Sequence, residues 1–593
     1  MKNLMYIFLC LLLVFTSCID DVLDRKPLDI VSDGVVWEDP ALIDAYLTNV
    51  YLMMPILTNE TPNISGGSQR LDWNGPFIIN ELSDESKRGW IAGQANTKMT
   101  GMRINTNILA WWESAYEVIR MLNEFIERLP DAPVDESYRK QKIAEARFLR
   151  AYNYFSMVKR YGGVPIITTA QDINTPDEEL YPARDKEQDV YDFVLSEMDA
   201  IVNDLPDRTV TEYGRPSKYA ALALKSRAAV YAGSIAQFGT LKLNGIVGID
   251  ASKADDYYQQ AYNASKEIMN SGSFALYNQD ADKVTNFKNV FLQENNSEVI
   301  WAKLHDNVQR ELGGNGWVWD FFQCPKPQAW NAGCQDAVYL EMAESFEMLD
   351  GSPGTLDREA IEQGLWTMEE IWGNRDPRFY ATIYTQDTPW KDGKVTWYYG
   401  LILPDGTIQT KGSYNGVLAT GTQGRGQRTG FGVMKYLVES KDNMGQRSTS
   451  ETDWILFRYA EILLNFAEAS FELGKTDEAM DAINQIRERA GVALLSSVNR
   501  ERIQHERKVE LAFEGHRYWD LRRWRLAVDV LTVNRSGLNL LLDYTTGKFK
   551  IEVEYNKDSK NSDPLFYEEN YYFPITLNRT ANNPNLVENP GYQ

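Results

Sequence analysis

Histidine is nearly absent: three in 593 residues leave almost nothing from which to build histidine-based metal or acid–base sites. Four cysteines are too few to staple a chain of this length, so its core must hold by packing. Beyond the N-terminus no stretch approaches the roughly 20 apolar residues of a membrane helix. Basic residues are in deficit, with Lys+Arg 61 against Asp+Glu 84 and a net charge of -23. A surface that acidic repels phosphate backbones, which excludes nucleic acid as a partner. Catalytic signatures are missing as well. There is no G-x-S-x-G, and Val509 stands where a zinc-binding H-E-x-x-H starting at His505 would need its second histidine. The glycines of Gly424–Gly430 are spaced wrongly for a dinucleotide loop. No metal and no cofactor is assigned, and the sequence does not decide on a structural calcium. A glycosidase needs only two carboxylates roughly 5–9 Å apart. The 84 acidic residues do not exclude such a pair, which stays as an alternative, but no spacing singles one out.

What the chain has in excess is aromatic side chains: 16 Trp, 32 Tyr and 23 Phe. It also has an address. Lys2 precedes the apolar run Tyr6–Phe15, which is too short to span a bilayer and the right length for a secretory signal. The run ends in Thr16-Ser17-Cys18, which resembles the lipobox of bacterial lipoproteins, where the cysteine becomes the lipidated N-terminus. Residues 1–17 are then a signal peptide, and Cys18 is the anchor. The acidic Asp20, Asp21 and Asp24 behind it resemble the surface-export signals of Bacteroidetes lipoproteins. Several acyl chains on one terminus hold a protein stably at a membrane, so a body tethered to the cell outer membrane and facing outward is expected.

Helical periodicity dominates both ends of the body. Apolar residues recur at helical spacing over about Ile104–Leu129, Tyr138–Tyr161, Asp189–Leu205, Ser217–Phe238, Tyr257–Met269, Trp454–Leu473 and Thr476–Ala490. Gly162-Gly163, Gly474 and Gly491 supply stops, and Ala220–Ala232 is rich in small residues that let helices approach closely. Helix, short turn and helix with small and aromatic knobs is the manner of tetratricopeptide-like pairs, although no 34-residue period is legible. The expected fold is mainly α, a divergent tetratricopeptide-like scaffold interrupted by a large loop-rich, partly β insertion. One unit over 18–593 divides into helical residues 30–270, a loop-rich part 271–450 and C-terminal helices with a tail over 451–593.

Half of the tryptophans, 8 of 16, fall in 271–450, among Gly-, Asn- and Pro-rich turns and short β-like runs at Val299–Trp301, Val395–Tyr399 and Leu401–Leu403. Loops this extensive are usually functional. A pyranose offers C–H bonds on its face and hydroxyls at its edge, chemistry that flat Trp or Tyr rings and neighbouring Asn, Asp or Arg side chains match. Two clusters have that mixture, Trp73 with Asp84, Arg88 and Trp90, and Trp317 with Trp319 and Trp330. If Trp317-Val318-Trp319 is extended, its two indoles share one face. Cys324 and Cys334 bracket the Trp330 loop, and a disulfide there would stabilise it by roughly 2–3 kcal/mol.

Three C-terminal segments, Phe457–Ala469, Glu506–Trp524 and Phe573–Ile575 with Asn583–Tyr592, together resemble the SusD/RagB family of Bacteroidetes outer-membrane lipoproteins. Thr429–Tyr436 and Arg147–Tyr152 are similar to other family segments. The resemblance implies a tetratricopeptide-like α scaffold and a non-catalytic surface protein that captures oligosaccharides and passes them to a SusC-type TonB-dependent transporter. A scaffold that binds only the transporter is a further alternative. The Arg/Glu pattern of Glu506–Trp524 reads as local ion pairs, Arg507–Glu510 and Arg517–Asp520, that bind the last helices.

Overall fold

A computed structural model describes residues 36–58, 78–89, 109–305, 318–326, 333–422, 429–440, 444, 450–557 and 563–592. Where the sequence shows helical period, helices form: α1 (Pro40–Leu52), α2 (Glu113–Arg128), α3 (Glu136–Tyr161), α4 (Glu187–Ile201), α5 (Lys218–Phe238), α6 (Ala254–Asn270) and α7 (Lys283–Leu292). After the insertion come α8 (Tyr459–Glu472), α9 (Thr476–Ala490), α10 (Arg500–Glu510) and α11 (Arg517–Arg523). In α2 the stripe Ala115, Val118, Ile119, Leu122 and Phe125 is buried, and Glu113 and Arg128 sit at the ends that suit their charges.

Neighbours in sequence stack on one another from α2 to α6, and α8 then packs directly on α6, with α9 beyond it. The helical array is therefore continuous in space although residues 271–458 interrupt it in sequence. Small residues make the central contact close. Gly233 of α5 lies under the Tyr258 ring of α6, where an added Cβ would fall 2.9 Å from Cε1, and the Ser226 and Ser265 hydroxyls meet at 2.8 Å. Tyr262 of α6 stacks on Phe466 of α8 with centroids 4.9 Å apart. Arg227 of α5 forks onto the Glu461 carboxylate of α8, both contacts at 2.6 Å. One hydrophobic core runs from Trp37 to Leu586 through array and insertion alike.

The insertion leaves and rejoins the array at one place. Strand Val299–Lys303 pairs antiparallel with Trp454–Arg458, immediately before α8. The sequence pattern predicts helix from Trp454, but Trp454–Arg458 is a strand with all five residues buried. A strand buried on both faces shows no alternation, so periodicity alone joins it to the helix that follows. Strands of the insertion join others from outside it: a four-stranded sheet orders Ser86–Arg88, Asp336–Val338, Gly432–Val433 and Ile383–Tyr384. A five-stranded sheet orders Leu365–Trp366, Phe549–Glu554, Gly537–Asp543, Gly400–Ile402 and Ile408–Gln409. The Val395–Tyr399 run forms no ladder of its own and ends where Gly400–Ile402 begins.

A buried ion network joins array to insertion. Glu510 at the end of α10 accepts from Arg458 at 2.7 Å, Arg378 at 2.9 Å and Arg489. Arg458 also holds Glu298 at 2.6 Å and Glu514 at 2.7 Å, while Arg378 reaches Glu506 at 2.6 Å. Burial alone would raise the Glu510 carboxyl; Arg489, Arg458 and Arg378 overcome it and hold the group well below the usual carboxylate range. The local pairs expected from spacing are not the ones formed. Arg507 binds Asp520 at 2.8 Å instead of Glu510, and Arg517 binds Asp84 at 2.7 Å instead of Asp520. These guanidiniums point off their own helices into the core, where carboxylates from distant segments wait. Arg523–Asp520, at 2.8 Å, is the i,i+3 pair of this segment.

Removing one partner of such a network strands the others in a low-dielectric interior. Glu510→Ala is expected to destabilise the chain by about 3–5 kcal/mol, read as a fall in the urea midpoint; a change below about 1 kcal/mol would show the network to be dispensable.

Candidate functional site

Of the residues assigned to sugar contact, Trp73, Trp90, Trp317 and Trp330 lie outside the described residues, as does the anchor Cys18. The other three have clear places. Trp319 is 0% exposed and opens a short helix, Trp319–Gln323, so the extended geometry that would align it with Trp317 does not hold. Its indole N–H donates to the Lys435 carbonyl at 2.8 Å, and its ring packs on Tyr436 and Trp454. Trp319 is a core residue. Asp84 is 2% exposed and clasped by Arg517 at 2.7 Å and Lys508 at 3.1 Å. Burial works against its charge, but the two cations hold the carboxyl well below its ordinary value. Asp84 ties the sheet to α10 and α11 and offers nothing to a ligand. Arg88 is half-buried at the end of edge strand Ser86–Arg88, paired in register with Asp336.

Tryptophan density proves a poor guide by itself. Five of the six described tryptophans between 271 and 450, namely Trp301, Trp319, Trp372, Trp390 and Trp397, are buried in the core. An insertion with little regular structure fills its interior with large rings.

The attachment points are more telling. The stretches that carry the four undescribed tryptophans adjoin Ile78, Gly89, Val318, Lys326 and Gly333, and the segments starting there are bound into one framework. Asp336, in the second strand of the four-stranded sheet, is its hub. Its carboxyl accepts from Asn80 Nδ2 at 3.1 Å, Ser86 Oγ at 3.1 Å and Gln323 Nε2 at 2.6 Å. The Gly89 amide donates to the Gln335 carbonyl and the Gln335 amide to the Phe322 carbonyl, both at 2.8 Å. A Cβ on Gly89 would sit 2.3 Å from the Cys334 carbonyl oxygen, so the residue before Trp90 must be glycine for the strands to close. Tyr384 donates to the Gln323 carbonyl at 2.7 Å, and the Thr429 hydroxyl donates to the Val338 carbonyl. Described residues from Asn80 to Asp336 that flank these segments thus meet in one hydrogen-bonded framework.

Acidic groups in this framework are buried, not presented. Burial and the nearby Glu81 charge push the Asp336 carboxyl well above its ordinary value. Burial raises Glu85 from 4.5 to about 7, against the hydrogen bonds it receives from the Phe513 amide and Ser83. Among the described residues no cluster of three or more His, Cys, Asp or Glu side chains is placed to hold a metal ion. The proposed Cys324–Cys334 bridge does not form. Both are buried thiols, and Cys334 directs its sulfur to the Phe431 carbonyl at 3.5 Å. Burial pushes the Cys324 thiol far up, which keeps it unreactive.

A continuous tetratricopeptide-like array that carries one large, partly β insertion defines a helical-repeat scaffold. The model of the SusD family matches residues 297–592, and a second model, described as starch-binding associating with outer membrane, matches residues 33–230. The chain belongs to the SusD/RagB family. It is 26% identical over 554 residues to SusD-like protein P38 of Formosa agariphila, covering 89% of this chain and 93% of that protein. It is 23% identical to the starch-binding protein SusD of Bacteroides thetaiotaomicron, over 98% of this chain and 96% of the relative. Among solved structures, a SusD-like protein of Bacteroides fragilis superposes with a TM-score of 0.70 at 24% identity, over 96% of this chain and all of that one. A laminarin-binding SusD-like protein superposes at 0.57 and 21% identity, over 94% of this chain and 100% of its own. At those identities the superpositions establish the fold.

Two outcomes follow for the framework. A chain lacking residues 1–18, unfolded without reductant, is expected to show two thiols reactive to a disulfide dye; none would mean a bridge. Glu85 binds its proton more tightly folded than unfolded, so its contribution is full below about pH 4.5 and is lost as pH rises through about 7. Glu85→Gln is therefore expected to stabilise the protein at pH 8, by about 3 kcal/mol at most, and to do little at pH 4.5, measured by denaturant titration at each pH.

Proposed function

We propose that this protein is a non-catalytic, lipid-anchored receptor at the outer face of the outer membrane that captures oligosaccharides and hands them to a SusC-type TonB-dependent transporter. The supporting observation is the framework of described residues that flank the tryptophan-bearing segments. Asn80, Ser86, Gln323 and Asp336, close in sequence to the segments that carry Trp73, Trp90, Trp317 and Trp330, are hydrogen-bonded to one another. Flat tryptophan rings with polar neighbours suit the apolar faces and hydroxyl edges of sugars. Buried hydrogen bonds around Asp336 keep the loop roots rigid, which reduces the entropy lost when ligand binds. The relatives' names, starch-binding and laminarin-binding among them, agree with a glycan ligand. Cys18, Asp20 and Asp21 support the anchor and its export.

Isothermal titration and affinity electrophoresis across a polysaccharide panel are expected to show binding without any release of reducing ends. Trp90→Ala and Trp317→Ala should each weaken binding at least about tenfold, near 1.4 kcal/mol. Accumulating reducing ends would replace this reading with the glycosidase. No binding of any polysaccharide, with uptake unchanged in both variants, would leave only a transporter-binding scaffold.

A further inference from the structure

A second concavity lies on the helical array, outside the framework just described. Its volume is about 380 Å³, within the range of small-molecule sites, roughly 300–1,000 Å³. Three parts of the chain enclose it: the start of α2, the Pro165–Pro182 connection and the C-terminal helix Leu577–Asn582. No residue of the four-stranded sheet or of its loop roots lines it.

The walls are fixed before any ligand arrives. Tyr116 donates to the Pro165 carbonyl at 2.9 Å and Asn583 to the Pro182 carbonyl at 2.9 Å, tying the connection to both helices. Arg579 forks onto Glu113 at 2.7 and 2.8 Å, so these two charges neutralise each other at the edge. Its guanidinium lies 5.3 Å from the centroid of the Trp112 ring and holds that ring in place. Tyr116, Ile167 and Leu586 provide an apolar floor.

Against that closed frame, certain donors are left open. Trp112 is 8% exposed, yet its indole N–H has no hydrogen-bond partner among the described residues, whereas the adjacent Trp111 donates to Asn153 at 2.6 Å. A largely buried indole normally finds a partner. The side-chain amides of Asn578 and Asn582, four residues apart on one exposed helix face, also line the cavity without hydrogen-bond partners among the described residues. The N–H edge of the indole, two exposed amides able to donate and accept, and a self-neutralised ion pair over an apolar floor match the hydroxyls and C–H surface of an uncharged sugar. Phosphate or an acidic peptide fits less well, because the Arg579 charge is spent on Glu113 and Arg120, the other cation of the lining, donates to the Gln171 carbonyl.

We infer that this cavity is a second carbohydrate-binding site, taking a short neutral stretch of glycan through Trp112, Asn578 and Asn582. The inference rests on the reading of the chain as a glycan binder, but it concerns residues that the tryptophan-bearing loops do not supply. Two sites on one rigid body would hold a polysaccharide at two points, raising avidity without new contacts at either.

The test is hydrogen exchange with maltohexaose and laminarihexaose as probes, on the full soluble chain carrying Trp90→Ala and Trp317→Ala. Saturating sugar is expected to slow exchange at least fivefold in 165–182 and 577–586 of that variant. Adding Asn578→Ala and Asn582→Ala should abolish this protection and weaken the residual affinity at least tenfold; Trp112→Phe, which keeps the ring and deletes the N–H, should weaken it less. Protection that persists in the asparagine variants would overturn the inference, since it would arise elsewhere. So would wild-type binding that protects other segments only, or no binding of any probe. Undiminished affinity in the Trp90/Trp317 variant with protection still centred on 577–586 would remove the loop platform and leave the cavity standing.

Discussion

Glu510 is the point at which the parts of this protein meet. Its carboxylate lies among guanidiniums from the strand that closes the insertion (Arg458), from the insertion itself (Arg378) and from α9 (Arg489). Each of these charges would be costly to bury alone, because none of them recovers the hydration it loses. Together they are tolerated, and only in one arrangement. Such a cluster contributes less to raw stability than to specificity: an insertion seated in any other way would leave several cations facing a carboxylate they cannot reach. Dispersion and apolar burial supply the bulk of the folding free energy through the common core. The charges decide which compact arrangement receives it.

The same division of labour holds in the four-stranded sheet. Asp336, Asn80, Gln323 and Ser86 form a buried polar knot in that sheet's framework. Asp84 fastens the edge of that sheet to the last helices through Arg517 and Lys508. The sheet is thus pinned from below and behind by residues of the described framework. Recognition can then depend on loop side chains while positioning depends on residues that never touch a ligand.

How much of this was legible in the sequence depends on whether the signal was local. Helices such as α3 and α5 could be read because their apolar residues recur with the helix period and their ends carry glycine. Trp454–Arg458 could not, since a strand buried on both faces has no alternation and runs straight into a helix. The acidic and basic residues of Glu506–Trp524 were legible as ion-pairing but not as to partners. Local spacing offers Arg507 the nearby Glu510, whereas the fold offers it Asp520 across a turn. The candidate site failed in the same manner. Trp319 and Asp84 have the residue types of a sugar site, and only their neighbours in space, Lys435 and Trp454 for one and Arg517 for the other, show them to be structural. Trp112 was visible only as a helix-face residue, because the cavity it lines needs the C-terminal helix, more than 450 positions away.

The short ladder between Val299–Lys303 and Trp454–Arg458 brings the two ends of the insertion together just where α8 settles on α6. Loop-closure entropy grows only slowly with length, so a gate of this kind is nearly indifferent to how much chain passes through it. The ladder therefore sets little limit on the length of chain between its strands; what limits it is the insertion's contact with Glu510 and with the strands Ser86–Arg88 and Gly537–Asp543 that complete its sheets.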